Sequence, residues 1–335
     1  MSTSVLALAM AFSMPAQDPA KFFFAVIGDM PYNPATGDRQ TYPSPPYERL
    51  IKAVNDDRAR FTVHIGDIKG GATRCEDEVY LKNLEYFNTF QRPLIFTPGD
   101  NEWTDCHRDT NGIFDPIKRL EFLRATFYPD DKSLGRRKMD LTRQSSSPGF
   151  SKFRENAIWK MGAVLFVTLH QPGSNNNFGR LTGEYPDLSN AEYSERNRAN
   201  MAWLDYAFEQ ANADPKIKGV AIFSQANPFE RFLETATPPY PSSGYADFIS
   251  NLRNKVVASN KQVVYFGGDT HYFRIDKPLT NTFPSPTQLT TAGTRIMNFT
   301  RVEVFAQNEV HYILVQVDAT DPDLFIFKPV LVPGN

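Results

Sequence analysis

Four glycine–aspartate pairs recur along this sequence, and each follows a short apolar run that is typical of a buried strand. The pairs are Gly28-Asp29, Gly66-Asp67, Gly99-Asp100 and Gly268-Asp269. In an open α/β sheet the carboxyl ends of the strands line one crevice, so the four carboxylates are expected to meet there. Because clustered carboxylates cannot all stay ionised without a cation, the pattern predicts a metal site. The alternative is that each pair only forms a turn.

The elements that must position these pairs alternate between strands and helices. Apolar runs at 22–27, 61–65 and 93–96 precede the first three pairs, and helical spacing at 46–55 and 79–87 separates them. Such a β-α-β-α-β series favours parallel strands with helices packed outside. The later predicted elements are a helix near 117–127, a surface loop at 130–148, a hairpin or long strand at 157–169, a helix at 197–212, buried strands at 219–223 and 262–266, and, from 288, antiparallel strands closing a second sheet.

Length and composition limit the class of protein. The 335 residues are 41% hydrophobic, which is enough to bury a large core. The formal charge of −2 lacks the basic excess that is typical of nucleic-acid-binding domains. Nothing after the first 17 residues resembles a membrane span, and no linker or repeat divides the chain, so residues 22–335 are interpreted as one domain. The sequence carries no signature of an oligomeric state.

The N-terminal segment and the two cysteines predict an exported protein. Residues 1–17 contain an apolar run at 5–12 that is too short to span a bilayer, followed by small residues. This pattern indicates a signal peptide, although no basic residue precedes the run, and the alternative is a disordered tail. With an export signal, the even pair Cys75 and Cys106 favours a disulfide over two free thiols. The expected location is therefore periplasmic or secreted.

In the order and spacing of these motifs, residues 22–275 resemble the calcineurin-like metallophosphoesterases, in a divergent, Asp-rich form. The blocks of that family are Gly-Asp-x-His, Gly-Asp-x-x-Asp, Gly-Asn-His-Asp/Glu, an isolated His and Gly-His-x-His. The four pairs of this chain match blocks one, two, three and five, and 223–228 matches block four with Gln225 in place of the His. The resemblance implies a four-layer α/β/β/α sandwich of two mixed sheets that hydrolyses a small phosphorylated substrate.

The matched positions supply mostly oxygen ligands. One metal ion would be held by Asp29, Asp67 and His271, and a second by Asp67 as the bridge together with Asp100, Asp269 and the Gln225 carbonyl. Hard oxygen ligands favour Mg²⁺, Mn²⁺, Ca²⁺ or an iron ion over Zn²⁺. Two divalent ions would generate a metal-bound hydroxide that attacks the phosphoester.

Two matched positions depart from the family pattern in ways that affect the chemistry. Pro31 replaces a His ligand, which leaves the first site one ligand short, so water or Tyr32 would complete it or a single ion would bind. Asn101 takes the position of the His that protonates the leaving group, and an amide cannot act as an acid. His107, next to Cys106, is the candidate donor, with a surface histidine beside a disulfide as the alternative.

Three further polar residues have open interpretations. Lys69 could attract a phosphate or could simply be solvated, and His170 could contact the substrate or only shape a polar loop. His64, inside an apolar strand, is interpreted as a core histidine.

The competing functions for the whole protein are a degenerate relative that binds a metal or a phosphorylated ligand without turnover, and a structural domain in which the Gly-Asp turns only end strands.

Overall fold

The computed structural model describes residues 21–32, 42–179, 186–229, 243–281 and 293–335, and the predicted signal peptide at 1–17 lies outside them. The strands are β1 (Lys21–Ile27), β2 (Thr62–His64), β3 (Leu94–Phe96), β4 (Thr142–Arg143), β5 (Ala157–Met161), β6 (Val164–Thr168), β7 (Gly219–Phe223), β8 (Gln262–Gly267), β9 (Arg274–Asp276), β10 (Phe299–Glu303), β11 (Tyr312–Asp318) and β12 (Phe325–Val330). The helices are α1 (Pro45–Asp56), α2 (Asp77–Phe87), α3 (Pro116–Phe127), the single turn α4 (Gly173–Asn176), α5 (Pro186–Ala213) and α6 (Ala246–Ala258), with 3-10 turns at Thr104–His107, Asp109–Asn111 and Gln144–Ser146.

The strands form two mixed sheets. One has the order β12-β11-β1-β2-β3 and the other β4-β5-β6-β7-β8-β10-β9. As the β-α-β-α-β pattern predicts, β1, β2 and β3 are parallel, and the predicted hairpin at 157–169 is the antiparallel pair β5 and β6. In the second sheet β6, β7, β8 and β10 are parallel. The carboxyl ends of β1, β2 and β3 therefore point the same way.

The two sheets face each other across an aromatic core, and the helices cover their outer faces. The ring of Phe24 on β1 packs edge-on against Phe166 on β6 and Phe223 on β7. The neighbouring residues Ala25 and Ile27 point to the opposite face, since side chains alternate along a strand. This opposite face packs against α1, whose apolar residues recur at helical spacing: Tyr47, Leu50, Ile51 and Val54.

The outer face of the second sheet packs against α5 and α6, through residues such as Leu204, Phe208 and Leu252. The layers are therefore helix, sheet, sheet and helix, which confirms the predicted four-layer α/β/β/α sandwich. Among the described residues, no helix is both long and apolar enough to cross a membrane.

The terminal strands differ from the prediction. β10 does join the second sheet, but it lies parallel to β8. β11 instead pairs antiparallel with β1 in the first sheet. The physical reason is that β1 is buried on both faces, so the backbone groups along its second edge need a partner strand.

Candidate metal centre

Three of the predicted carboxylates meet directly at the strand ends, and a fourth is connected to them by a hydrogen bond. Oxygens of Asp67 after β2, Asp100 after β3 and Asp269 after β8 all lie within 4.8 Å of one another. Asp29, which follows β1, accepts a hydrogen bond at Oδ1 from the Asp269 backbone N–H at 3.0 Å. Asp29, Asp67 and Asp100 are buried. The chain thus concentrates acidic groups in one buried crevice.

The glycines of the pairs make room for these carboxylates. Asp29, Asp67 and Asp269 have positive φ values of 52°, 55° and 73°, a region in which non-glycine residues are uncommon and which clusters at functional sites. A Cβ atom built on Gly99 would overlap Asp67 Oδ1, and one built on Gly268 would overlap Asp29 Oδ2. The glycines of the third and fourth pairs are therefore required by the aspartates of the second and first pairs.

Two side-chain amides hold the central carboxylate. Asp67 accepts hydrogen bonds from the Asn101 backbone N–H at 3.1 Å, from Asn101 Nδ2 at 3.0 Å and from Gln225 Nε2 at 3.2 Å. Asn101 Nδ2 also lies 3.0 Å from the Tyr32 hydroxyl oxygen. Asn101 thus fixes Asp67 and connects it to Tyr32, the residue that follows Pro31.

The electrostatics of the crevice favour the binding of a cation. Burial raises the pKa of Asp29, and burial together with the charge of Asp100 raises the pKa values of Asp67 and Asp269 well above the ordinary range. Burial also raises the pKa of Glu102 to about 7. Among the described residues, three buried carboxylate oxygens lack a hydrogen-bond partner, and all three belong to this crevice: Asp29 Oδ2, Asp100 Oδ1 and Glu102 Oε2. Because buried polar groups are normally paired, this oxygen-rich donor set fits a hard divalent ion.

Gln225 and His271 lie beside the carboxylates. Gln225 Oε1 accepts a hydrogen bond from the Gly173 backbone N–H at 2.5 Å, while its Nε2 donates to Asp269 Oδ1 at 3.0 Å. Ligation through the Gln225 oxygen, as the sequence predicts, would require the amide to turn over and lose the bond from Gly173. His271 Nε2 lies 3.5 Å from Asp29 Oδ1, and the side chain is 32% exposed. Its ring is therefore at the entrance.

Lys69 and His170, the predicted substrate contacts, are both buried. Lys69 Nζ donates to Thr73 O at 2.8 Å and to Asn111 Oδ1 at 3.0 Å, and burial lowers its pKa to about 8. His170 Nδ1 lies 2.8 Å from Glu155 Oε1. The structure thus places the Lys69 amine inside a loop and the His170 ring in an interior hydrogen bond with Glu155, instead of at the surface of the crevice. His107, the predicted proton donor, is partly buried in a 3-10 turn with Nδ1 2.9 Å from Thr104 O.

The predicted disulfide between Cys75 and Cys106 is confirmed. Both sulfur atoms are buried and lie 3.7 Å from the carbonyl oxygen of Asn101. The neighbouring Tyr80 hydroxyl donates to Glu102 O at 2.6 Å. The disulfide and the tyrosine therefore pack against the main chain of the loop that carries Asp100 and Asn101.

We expect the double substitution Cys75→Ser and Cys106→Ser to lower both stability and metal affinity. The bridge closes a loop of 31 residues, for which chain entropy predicts roughly 3–4 kcal/mol of stabilisation, or a fall in Tm of roughly 5 °C. Metal affinity should fall because Asp100 loses its support. Calorimetric unfolding and metal titration of the oxidised wild type and the double variant check this. An unchanged affinity would show that the bridge stabilises the fold without shaping the site.

His64 joins the turns that follow β1 and β2. Its Nε2 lies 3.0 Å from Met30 O, and its Nδ1 accepts a hydrogen bond from the Gly66 backbone N–H at 3.2 Å. The rings of Phe87 and Phe96 pack against it. These two contacts suit a neutral imidazole protonated on Nε2, and burial lowers the pKa of His64 to about 3. The sequence-based interpretation as a core histidine agrees with this position.

Because His64 is buried in its neutral form, we expect the free energy of unfolding to decrease as the pH falls. The unfolded chain takes up this proton near pH 6.5 and the folded protein only near pH 3, so stability decreases as the pH falls through this window, by about 1.4 kcal/mol per pH unit. Between pH 6.5 and 5 the wild type should lose about 1.6 kcal/mol more than His64→Gln does. Urea unfolding at several pH values measures the difference. Parallel pH profiles for the two proteins would contradict it.

The polar loop after His170, which the sequence suggests could border the crevice, reaches the carboxylates through Ser174, a residue that sequence reasoning did not select. Ser174 Oγ lies 2.7 Å from Asp100 Oδ2 and 2.8 Å from Asp105 Oδ1. Residues 174–177 all have positive φ values between 47° and 59°, so α4 has a left-handed conformation. Asparagine tolerates this conformation better than most residues, so the run Asn175-Asn176-Asn177 was the available signal.

Comparisons with known proteins find similarity to solved structures but not to family models or curated proteins. No family model matches it, and no curated protein matches it. It is similar to the solved structure of a purple acid phosphatase isolated from yellow lupin (Lupinus luteus) seeds, with 10% identity, a TM-score of 0.48, and coverage of 94% of this chain and 52% of that one. The chain thus spans about half the length of that protein. A similarity of this size carries no information about activity, which has to be inferred from the site.

Proposed function

We propose that this protein is a metal-dependent hydrolase of phosphoesters. The single observation that carries the proposal is the cluster of Asp67, Asp100 and Asp269, whose carboxylate oxygens lie within 4.8 Å of one another, together with the unpartnered buried oxygens beside them. With one or two divalent ions bound, the site would polarise a phosphoester and activate a water molecule. The oxygen donors favour Mg²⁺, Mn²⁺, Ca²⁺ or an iron ion.

In this proposal the residues of the chain have distinct tasks. Asp67 is the central ligand, and Asn101 and Gln225 hold its carboxylate in place through their amide nitrogens. Asp29 and His271 approach from the β1 and β8 side, and Asp100 and Asp269 complete the cluster. Protonation of the leaving group falls to His107 or to water, since Asn101 cannot supply a proton.

A second candidate is a protein that binds a metal or a phosphorylated ligand without turnover. It is favoured by the same amides, because donors from Asn101 and Gln225 already satisfy Asp67 and take the positions of the family's histidines. For either function we propose an exported protein, supported by the Cys75–Cys106 disulfide, since such bonds persist in oxidising compartments.

The test is hydrolysis of p-nitrophenyl phosphate and bis-p-nitrophenyl phosphate by protein stripped of metal and reloaded separately with Mn²⁺, Mg²⁺, Ca²⁺, Fe²⁺ or Zn²⁺. The proposal expects turnover that returns with a hard ion, together with a higher Tm, because a ligand that binds only the native state stabilises it. Stoichiometric metal binding without turnover would favour the second candidate. An unchanged Tm and no metal binding would reject both and leave the aspartates as turn residues.

A further inference from the structure

A half-exposed arginine lies at the rim of the carboxylate cluster. Arg108 is 47% exposed, and one of its terminal nitrogens, Nη2, lies 3.3 Å from Ser174 Oγ. The same Ser174 oxygen is 2.7 Å from Asp100 Oδ2. A single hydroxyl group therefore separates the guanidinium of Arg108 from a carboxylate of the proposed metal site. Sequence reasoning did not select this residue, although it directly follows His107.

A buried carboxylate fixes the position of this guanidinium. Asp105 is almost completely buried, and its Oδ2 forms an ion pair with Arg108 Nη1 at 2.7 Å. Its Oδ1 lies 2.8 Å from Ser174 Oγ, and its backbone oxygen accepts a hydrogen bond from the Arg108 N–H at 3.0 Å. Arg108 also sits between two 3-10 turns, shortly after the disulfide at Cys106. A charged group held in this way loses little freedom when it binds a ligand.

The charge of the crevice explains why an arginine is needed at this place. The carboxylates around Asp67 and Asp100 give the site a negative potential, and a phosphoester is also an anion. Lys69, the basic residue that the sequence suggests for this task, is buried and donates to Thr73 O in its own loop and to Asn111 Oδ1. Arg108 uses two of its five N–H donors on Asp105 and Ser174, and a guanidinium matches phosphate with two parallel hydrogen bonds.

We infer that Arg108 binds the phosphoryl group of the substrate and that Asp105 is its positioning residue. The identity of the substrate as a phosphoester rests on the proposed function. A guanidinium that pairs with two non-bridging oxygens leaves a third for the metal site, and only a monoester has three. The arrangement therefore assigns a phosphomonoester as the preferred substrate class, with a diester limited to a single contact with Arg108.

The test compares Arg108→Gln and Arg108→Lys with the wild type in the metal-loaded protein. The matched control is Arg60→Gln, which removes an exposed arginine that precedes β2, at the opposite end of that strand from the site. We expect Arg108→Gln to raise the KM for p-nitrophenyl phosphate and the Kd for inorganic phosphate by about 10- to 100-fold, with a smaller change in kcat. The KM for the diester should change by less than about threefold. The KM and Kd values of Arg108→Lys should lie between those of the wild type and Arg108→Gln.

The outcomes separate this inference from the proposed function. If the wild type hydrolyses phosphoesters and Arg108→Gln leaves both KM and phosphate affinity unchanged, the inference fails alone. If the wild type hydrolyses nothing but binds phosphate, and Arg108→Gln weakens this binding, the anion site stands and the proposed hydrolysis fails. If the metal-loaded wild type neither binds phosphate nor hydrolyses an ester, both are overturned. Metal affinity, measured in parallel, should be the same in all four proteins.

Discussion

Asp67→Asn is expected to reduce metal-dependent phosphoester hydrolysis by on the order of a thousandfold and to remove metal binding at the shared position. Asp67 is the carboxylate on which the other groups converge: it lies within 4.8 Å of ligand atoms of Asp100 and Asp269 and is held by Asn101 and Gln225. An asparagine fills the same volume but removes the negative charge that a divalent ion requires. The measurements are kcat/KM with p-nitrophenyl phosphate and calorimetric titration with Mn²⁺.

The same substitution should not destabilise the metal-free protein. Asp67 is buried beside the charges of Asp100, Glu102, Asp29 and Asp269, which oppose its ionisation. Removing one charge relieves this repulsion, so the metal-free Asp67→Asn variant should melt at or above the wild-type Tm, whereas added metal should no longer raise it.

The control for this prediction is Asp56→Asn on α1, which removes an exposed carboxylate that forms an ion pair with its helix neighbour Lys52. Its activity and its metal-dependent rise in Tm should match the wild type, since exposed pairs contribute little. A Tm of metal-free Asp67→Asn several degrees below the wild type would mean that Asp67 stabilises the fold through its hydrogen bonds. In that case the repulsion among the carboxylates would not be the dominant effect at Asp67 in the metal-free protein.

The parts of the site that follow local rules could be predicted from the sequence. A short apolar run that ends in Gly-Asp is readable within ten residues, and parallel strands bring their carboxyl ends together whatever the details of the loops. For this reason the convergence of Asp67 and Asp100 needed no knowledge of packing, whereas Asp269 follows β8 of the second sheet and joins them only because the two sheets pack face to face. The disulfide was predictable on other grounds, because an even pair of cysteines in a chain with an export signal favours a bridge.

The contacts that depend on distant segments could not be predicted in this way. The orientation of the Gln225 amide is set by the Gly173 backbone N–H, 52 residues away along the chain. The burial of Lys69 depends on Asn111, which the 3-10 turns after Cys106 bring into contact with it. The pairing of β11 with β1 joins residues nearly 300 positions apart. Hydrophobic periodicity carries no information about such pairs, because it describes which face is buried and not which element covers it.

Gly173 is a further residue whose contacts with the site could not be predicted from the sequence. It does not belong to any Gly-Asp pair, but a Cβ atom at this position would overlap Asp269 Oδ1 and lie 2.8 Å from Asp100 Oδ2. The methyl group of an alanine would therefore occupy the space between two carboxylates that a cation would bridge. Gly173→Ala keeps the backbone N–H that donates to Gln225 Oε1, so the substitution tests only the space at the site.

We expect Gly173→Ala to weaken metal binding by roughly 10- to 100-fold and to reduce turnover at least in proportion, because Asp100 and Asp269 must move apart. The matched control is Gly71→Ala, where the new Cβ would make only an ordinary contact of 3.4 Å, with Asn101 Oδ1. Metal titration of both variants, with Tm measured in the absence of metal, checks the prediction. If Gly173→Ala binds Mn²⁺ as tightly as Gly71→Ala does, no ion lies between Asp100 and Asp269. The site would then hold a single metal ion, on the side of Asp67 where Asp29 and His271 lie.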